Sequence, residues 1–142
     1  MAEMKIFAGQ VRASAGKGVS VVDITGHLDE LVRESGIETG TLHATCTGST
    51  GSLTCIEHEP GVVADLTRAI NELAPPHREY EHEKAWHDGN GHSHVQAALI
   101  GPCLVIPVRN NRCALGTWQQ AVVINHDIKP RARKIEVSIV GS

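Results

Sequence analysis

The sequence predicts an α+β fold: a single domain over 1–142, built on a largely antiparallel β-sheet with about three helices. Three observations predict it. Short apolar runs recur between clusters of Gly, Pro and Asn, which is the mark of strands and turns. The predicted strands and helices do not alternate as βαβ units, which excludes a doubly wound parallel sheet. The last run, Arg133 to Val140, sets Ile135, Val137 and Ile139 on one face against Lys134, Glu136 and Ser138 on the other, the period of a half-buried strand.

Taken in order, Lys5 to Val11 and Val19 to Ile24 are predicted strands, joined as a hairpin across Ala15-Gly16-Lys17-Gly18. Thr25 is placed to cap a helix whose Leu28, Leu31 and Val32 fall on one side and which ends at Gly36. Gly40 to Cys46 and Ser52 to His58 follow as strands. The clearest helix runs from Pro60, suited to a first turn, to Leu73, with Val62, Leu66, Ala69, Ile70 and Leu73 as its apolar stripe. Pro75-Pro76 stops it. An irregular stretch of some fifteen residues comes next, long for a loop without function. A shorter helix, Ser93 to Ile100, is expected to turn Val95, Ala98 and Leu99 inward and to end at Gly101-Pro102. Strands then follow at Cys103 to Val108, Cys113 to Leu115 and Trp118 to Asn125, with a turn at Asn110-Asn111. Runs such as Leu104-Val105-Ile106 and Ala121 to Ile124 need cover on both faces. With few helices available, association of subunits is one way to supply it.

Composition narrows the partners. A net charge of −3 gives no reason to expect nucleic acid, and no apolar run of membrane-spanning length exists. No apolar segment follows the first five residues, so a cleaved signal is not expected and the cytoplasm is the expected compartment. Cys46, Cys55, Cys103 and Cys113 form no Cys-x-x-Cys pair and are expected to be reduced and largely buried. Aromatics make up only 3% of the chain, so the core is aliphatic.

Three constellations could carry chemistry. Five of the nine histidines lie between 77 and 94, four of them in Glu81-His-Glu-Lys-Ala-Trp-His-Asp-Gly-Asn-Gly-His-Ser-His94. An extended His92-Ser93-His94 would aim both rings the same way, toward a shared metal with His82. A helix starting at Ser93 would instead straddle an anion-favouring N-terminus. No His-Glu-x-x-His or finger spacing is present, and a polar loop explains the tract equally well. Thr47-Gly-Ser-Thr-Gly-Ser52 offers glycines and hydroxyls suited to a phosphate nest, or to nothing more than a tight crossover. Just beyond it, Glu57 is a candidate base or metal ligand, while Glu59 fits the positive end of the next helix. Trp118-Gln119 offers a stacking plane beside an amide, or a core Trp with a solvated Gln.

Together, GSTGSLTCIEHEPGVVADL, YEHEKAWHDGNGHSHVQAALIGPCLVIPV, LGTWQQ and the closing PRARKIEVSIVG resemble the YjbQ-like family, described as secondary thiamine-phosphate synthases. The resemblance covers residues 40–141 and departs from the family pattern at Gly48-Ser49 and at His92. It implies a homotrimer with sites near subunit boundaries. It also implies a transferase joining a thiazole phosphate to a hydroxymethylpyrimidine diphosphate with loss of pyrophosphate. On that reading Glu57 and Asp88 are catalytic, and Ser49, Thr50, Asn90, Trp118, Gln119 and Arg133 bind a small phosphorylated metabolite. His82, His92 and His94 hold a divalent metal, Zn by the imidazoles or Mg by the carboxylates and phosphates. A non-catalytic trimeric binding module and a metal-dependent hydrolase are the alternative readings.

Overall fold

The computed structural model describes residues 3–142 and is α+β, with two antiparallel sheets and four helices. Its elements are β1 (Lys5–Ala15), β2 (Ser20–Asp23), α1 (Thr25–Ser35), β3 (Thr39–Cys46), β4 (Gly51–Ile56) and α2 (Pro60–Leu73). Then come α3 (Glu81–Trp86), α4 (Gly91–Ile100), β5 (Cys103–Arg109), β6 (Arg112–Cys113), β7 (Gln120–Asn125) and β8 (Arg131–Gly141). One sheet has the order β1-β8-β3-β5-β6 and the other the order β2-β7-β4.

The expected β1–β2 hairpin does not form. β1 pairs instead with β8 along its whole length, from Lys5 opposite Gly141 to Ala15 opposite Arg131, while β2 pairs with β7 in the other sheet. The reason is burial: Val11, Ala13 and Ala15 share the inward face with Arg133, Ile135 and Val137 of β8. A local turn signal competes weakly with eleven matched residue pairs.

The main core lies between the sheets, where Leu42, Ile106, Ile135 and Ile139 meet Leu53, Ala121 and Val123, closed by Leu28 and Val32 of α1. On the outer face of the small sheet, Val122 and Ile124 pack with Ile70 and Leu66 of α2. β7 is therefore buried on both faces, as its unbroken Ala-Val-Val-Ile run requires. The Leu104–Ile106 run differs, because Val105 is 63% exposed. Of the four cysteines, all free, Cys46 is buried but Cys103 is exposed.

Local signals set some of the helix ends. Gly36 takes φ 67° and caps α1, a left-handed conformation natural to glycine. Thr25 is not the N-cap; its hydroxyl accepts from Ala121 N–H (2.9 Å) and ties α1 to β7. Glu59 caps α2, its carboxylate accepting from the backbone N–H groups of Gly61 and Val62. Glu59→Ala should cost about 1 kcal/mol of stability, measurable by urea unfolding; no loss would mean that Pro60 sets this helix start alone.

The inward face of α2 is narrower than predicted, and α4 turns a different face altogether. On α2, Ala69 and Leu73 are exposed. On α4, Val95, Ala98 and Leu99 face outward while His92, Ser93, Gln96 and Ala97 are buried. The polar side of α4 is inside because buried hydrogen-bond partners are waiting there. The predicted irregular stretch also contains a short helix, α3.

Candidate functional site

Antiparallel pairing sets Gly51 of β4 opposite Asn125 of β7, so the loop before β4 and the loop after β7 lie side by side. The start of β8 returns beneath them, and the N-terminus of α4 closes the third side. Between them is a cleft of ≈ 330 Å³, walled by Ser49 and Thr50, by Asp88, Asn90 and His94, and by Asp127, Arg131 and Arg133.

Arg133 sits on the inward face of β8, one strand period before Ile135, and is 6% exposed. Its Nη2 donates to Thr50 Oγ1 (2.7 Å) and its Nε to Asn125 Oδ1 (3.2 Å). Burial draws its pKa down from the ordinary value, yet a guanidinium stays charged in proteins. Its direct hydrogen-bond partners are neutral, so the charge remains available to an anion in the cleft.

Asp127 organises the floor. Oδ1 accepts from Asn90 Nδ2 (3.2 Å) and Lys129 N–H (3.0 Å), and Oδ2 from Thr50 Oγ1 (3.0 Å) and Arg131 Nε (3.1 Å). Burial alone would raise its pKa, but the bonds from Asn90, Lys129, Thr50 and Arg131 together hold it below the ordinary value. Asp127 is thus an anchored carboxylate with no room to act as a base. At the mouth, Asp88 is held low first by the N–H of Asn90 and then by His82, whose Nε2 lies 3.2 Å from Oδ1. The His82 and His94 rings lie 4.5 Å apart by centroid.

The predicted residues therefore divide three ways. Ser49, Thr50, Asp88, Asn90 and Arg133 come together, with His94 in the wall and His82 behind Asp88. His92 does not join them. Residues two apart on a helix point about 200° apart, so His92 faces a different cavity, beside His77 and Ile128. Burial lowers its pKa, and the ring is neutral at neutral pH. Glu57, Trp118 and Gln119 lie at the opposite end of the β4–β7 pair, where Ile56 faces Gln120, about 17 Å along the strand. Trp118 is 76% exposed and sits in a turn rather than a strand, closed by Gln119 Oε1 accepting from Gly116 N–H (3.1 Å).

As a metal donor set, His82, Glu83 and Asp88 offer ligand atoms within 4.8 Å of one another. Glu83 is already engaged, accepting from Gly89 N–H (2.7 Å) and Gly91 N–H (2.8 Å). The groups left to hold a cation are His82 and Asp88 with His94 alongside. His94 stands beside His82 by ring centroid but is not part of the group whose ligand atoms converge, which is His82, Glu83 and Asp88.

The family model described as UPF0047 protein YjbQ-like matches residues 9–142. The chain belongs to the YjbQ/UPF0047 family. It is 30% identical to a UPF0047 protein of Methanothermobacter thermautotrophicus over 97% of this chain and 94% of that one. It is 36% identical to YjbQ of Salmonella typhimurium, over 74% of this chain and 76% of that one. The crystal structure of a YbjQ-like protein of unknown function from Sulfolobus solfataricus superposes with a TM-score of 0.93. It has 31% identity and covers 99% of this chain and 100% of that one.

In this YjbQ-family chain the Asn125-His126-Asp127 triplet escaped the sequence reading, although all three are at most 1% exposed. Three polar residues directly after the apolar run of β7 were the available signal. His126 Nδ1 donates to Gln96 Oε1 (3.0 Å), and its Nε2 accepts from Ser52 Oγ (2.8 Å). The direction follows from Gln96, whose Nε2 is occupied donating to Asn71 Oδ1 and Ala74 O. Burial, then the charges of Arg133 and His92, push the His126 pKa down to about 4. The unfolded chain therefore binds a proton near pH 6.5 that the folded chain refuses. Stability is insensitive to this group above pH 7 and falls as pH drops from about 6.5 to 4. The expected loss is about 2 kcal/mol between pH 7 and 5. Urea unfolding at the two pH values, with His126→Asn flattening the difference, checks it.

Proposed function

We propose that this YjbQ-family protein is a cytoplasmic transferase of the thiamine-phosphate synthase type. The anionic end of a phosphorylated substrate is held in the Arg133 cleft. The observation that carries the reading is the buried Arg133 guanidinium, bonded only to neutral oxygens and opening on a cleft edged by Ser49, Thr50 and His94. Arg133 and the Ser49–Thr50 loop bind phosphate, and Asn90 keeps the loop and α4 in register through Asp127. His82 and Asp88, with His94 beside them, would hold a divalent cation, and such a cation would neutralise charge on departing pyrophosphate.

Glu57, Trp118 and Gln119 are too far from the cleft to act within one chain. The reading therefore has a neighbouring subunit of a homotrimer bring them. Val95, Leu99, Val105 and Trp118 are exposed, and an exposed apolar side chain gains from burial against a partner subunit.

The test is formation of thiamine phosphate from the thiazole phosphate and the pyrimidine diphosphate, with metal content measured alongside in wild type, His82→Ala and His94→Ala. Product that disappears with Glu57→Ala and metal that falls in both histidine variants support the reading. The distance of Glu57 from the cleft favours one alternative, a non-catalytic binding module; stabilisation by phosphate without turnover would establish it. Phosphate release from the diphosphate alone would mark a metal-dependent hydrolase.

A further inference from the structure

A second cavity, of ≈ 670 Å³, shares no wall residue with the Arg133 cleft. Its walls come from the β1–β2 connection at Lys17 and Gly18, from Pro76 and His77 after α2, from His92 on α4 and from Ile128. The surface is mostly apolar, and Lys17 is the only ammonium on it.

His92 is 6% exposed, and its Nδ1 is a buried polar atom with no partner among the described residues. Such atoms are rare in folded proteins and call for a reason. The protonation pattern around it is set by its neighbours. Asn90 Nδ2 donates to Asp127, so Asn90 Oδ1 faces Ser93 and accepts the Ser93 hydroxyl proton (2.7 Å). That uses the only proton of Ser93, whose Oγ can then only accept from His92 Nε2 (3.4 Å). In the neutral ring the proton is therefore on Nε2, and Nδ1 is a bare lone pair. Nδ1 is sealed from solvent in this ring orientation while other atoms of His92 line the cavity, and the imidazole χ2 is a broad torsion, so ligand binding requires the ring to turn Nδ1 toward the cavity.

We propose that this cavity is a second binding site, for a small organic acid with an apolar body. An N–H or O–H of the ligand donates to His92 Nδ1, its body lies against Pro76 and Ile128, and its carboxylate or phosphate meets Lys17. A metal ion suits the cavity less well. His77 is the only other imidazole in the wall and no carboxylate lines it, short of the three protein ligands usual for bound zinc.

The probe is 4-hydroxybenzoate, which has a donor, a flat apolar body and a carboxylate; 4-methoxybenzoate has the same shape without the donor. Each is titrated into the full-length protein while the imidazole nitrogens are followed by long-range proton–nitrogen NMR. Saturable binding of 4-hydroxybenzoate that moves the His92 Nδ1 resonance is expected, with the methoxy compound at least about tenfold weaker. His92→Phe should lose the same preference, and Lys17→Ala should weaken both acids. Equal binding of the two acids to wild type would overturn the proposal even if His92→Phe did not fold. So would the absence of saturable 4-hydroxybenzoate binding below about 10 mM, or movement of Nδ1 by zinc but not by 4-hydroxybenzoate.

Discussion

Arg133→Met is expected to weaken binding of inorganic phosphate by about 10–100-fold, the value of one or two charge-assisted hydrogen bonds. Methionine fills a similar space without the charge, and no buried carboxylate loses its direct partner, because the guanidinium bonds only Thr50 and Asn125. Asn125 Oδ1 still accepts from Asp127 N–H (3.2 Å), so stability should change by no more than about 1–2 kcal/mol. Arg133→Lys keeps a charge but loses the planar fork, and should fall between wild type and Met. Calorimetric titration with phosphate at fixed ionic strength measures all three. Equal affinity in wild type and Arg133→Met would remove the basis of the anion site.

Asp127→Ala is expected to destabilise the protein by about 3–5 kcal/mol, the range for stripping one member from a buried charged network. The substitution leaves Thr50 Oγ1, Asn90 Nδ2 and Lys129 N–H without their acceptor and Arg131 without its ion pair. Because these donors come from three separate segments, the loss should also loosen the cleft. Asp127→Asn retains one acceptor oxygen but turns an amide toward donors, and should recover part of the loss. Urea unfolding monitored by far-UV circular dichroism reads both variants. In the wild type, the depressed pKa of Asp127 gives stability that is present above about pH 4 and is lost as pH falls through its folded value. That acid limb should vanish in both variants. A cost below about 1 kcal/mol for Asp127→Ala would show that water replaces the network at little expense.

Much of the site was legible because it sits on local signals. Small residues from Thr47 to Ser52 mark a loop, and Asp88-Gly89-Asn90 marks a turn before a helix. The alternation of β8 extends back to Arg133 on its buried face. Phase and distance along the elements are not written in local pattern. His92 and His94 look like a pair in the sequence, yet helical geometry parts them into different cavities. Glu57 is close to the Ser49–Thr50 loop in chain order, yet six paired residues of β4 and β7 set it, with Trp118, at the other end of the sheet.

By itself the sequence determined the α+β class, most element positions, the helix stop at Gly36, the start of α2 and the burial of β7. Those depend on residue periodicity and on turn or cap chemistry acting within a few positions. Only the tertiary structure decided that β1 pairs with β8, that α4 buries its polar face, and that Asn125, His126 and Asp127 organise the cleft. Each is settled by partners 30 to 136 residues away. A buried polar group takes whichever hydrogen-bond partner the packed chain brings to it, and no local pattern records that partner.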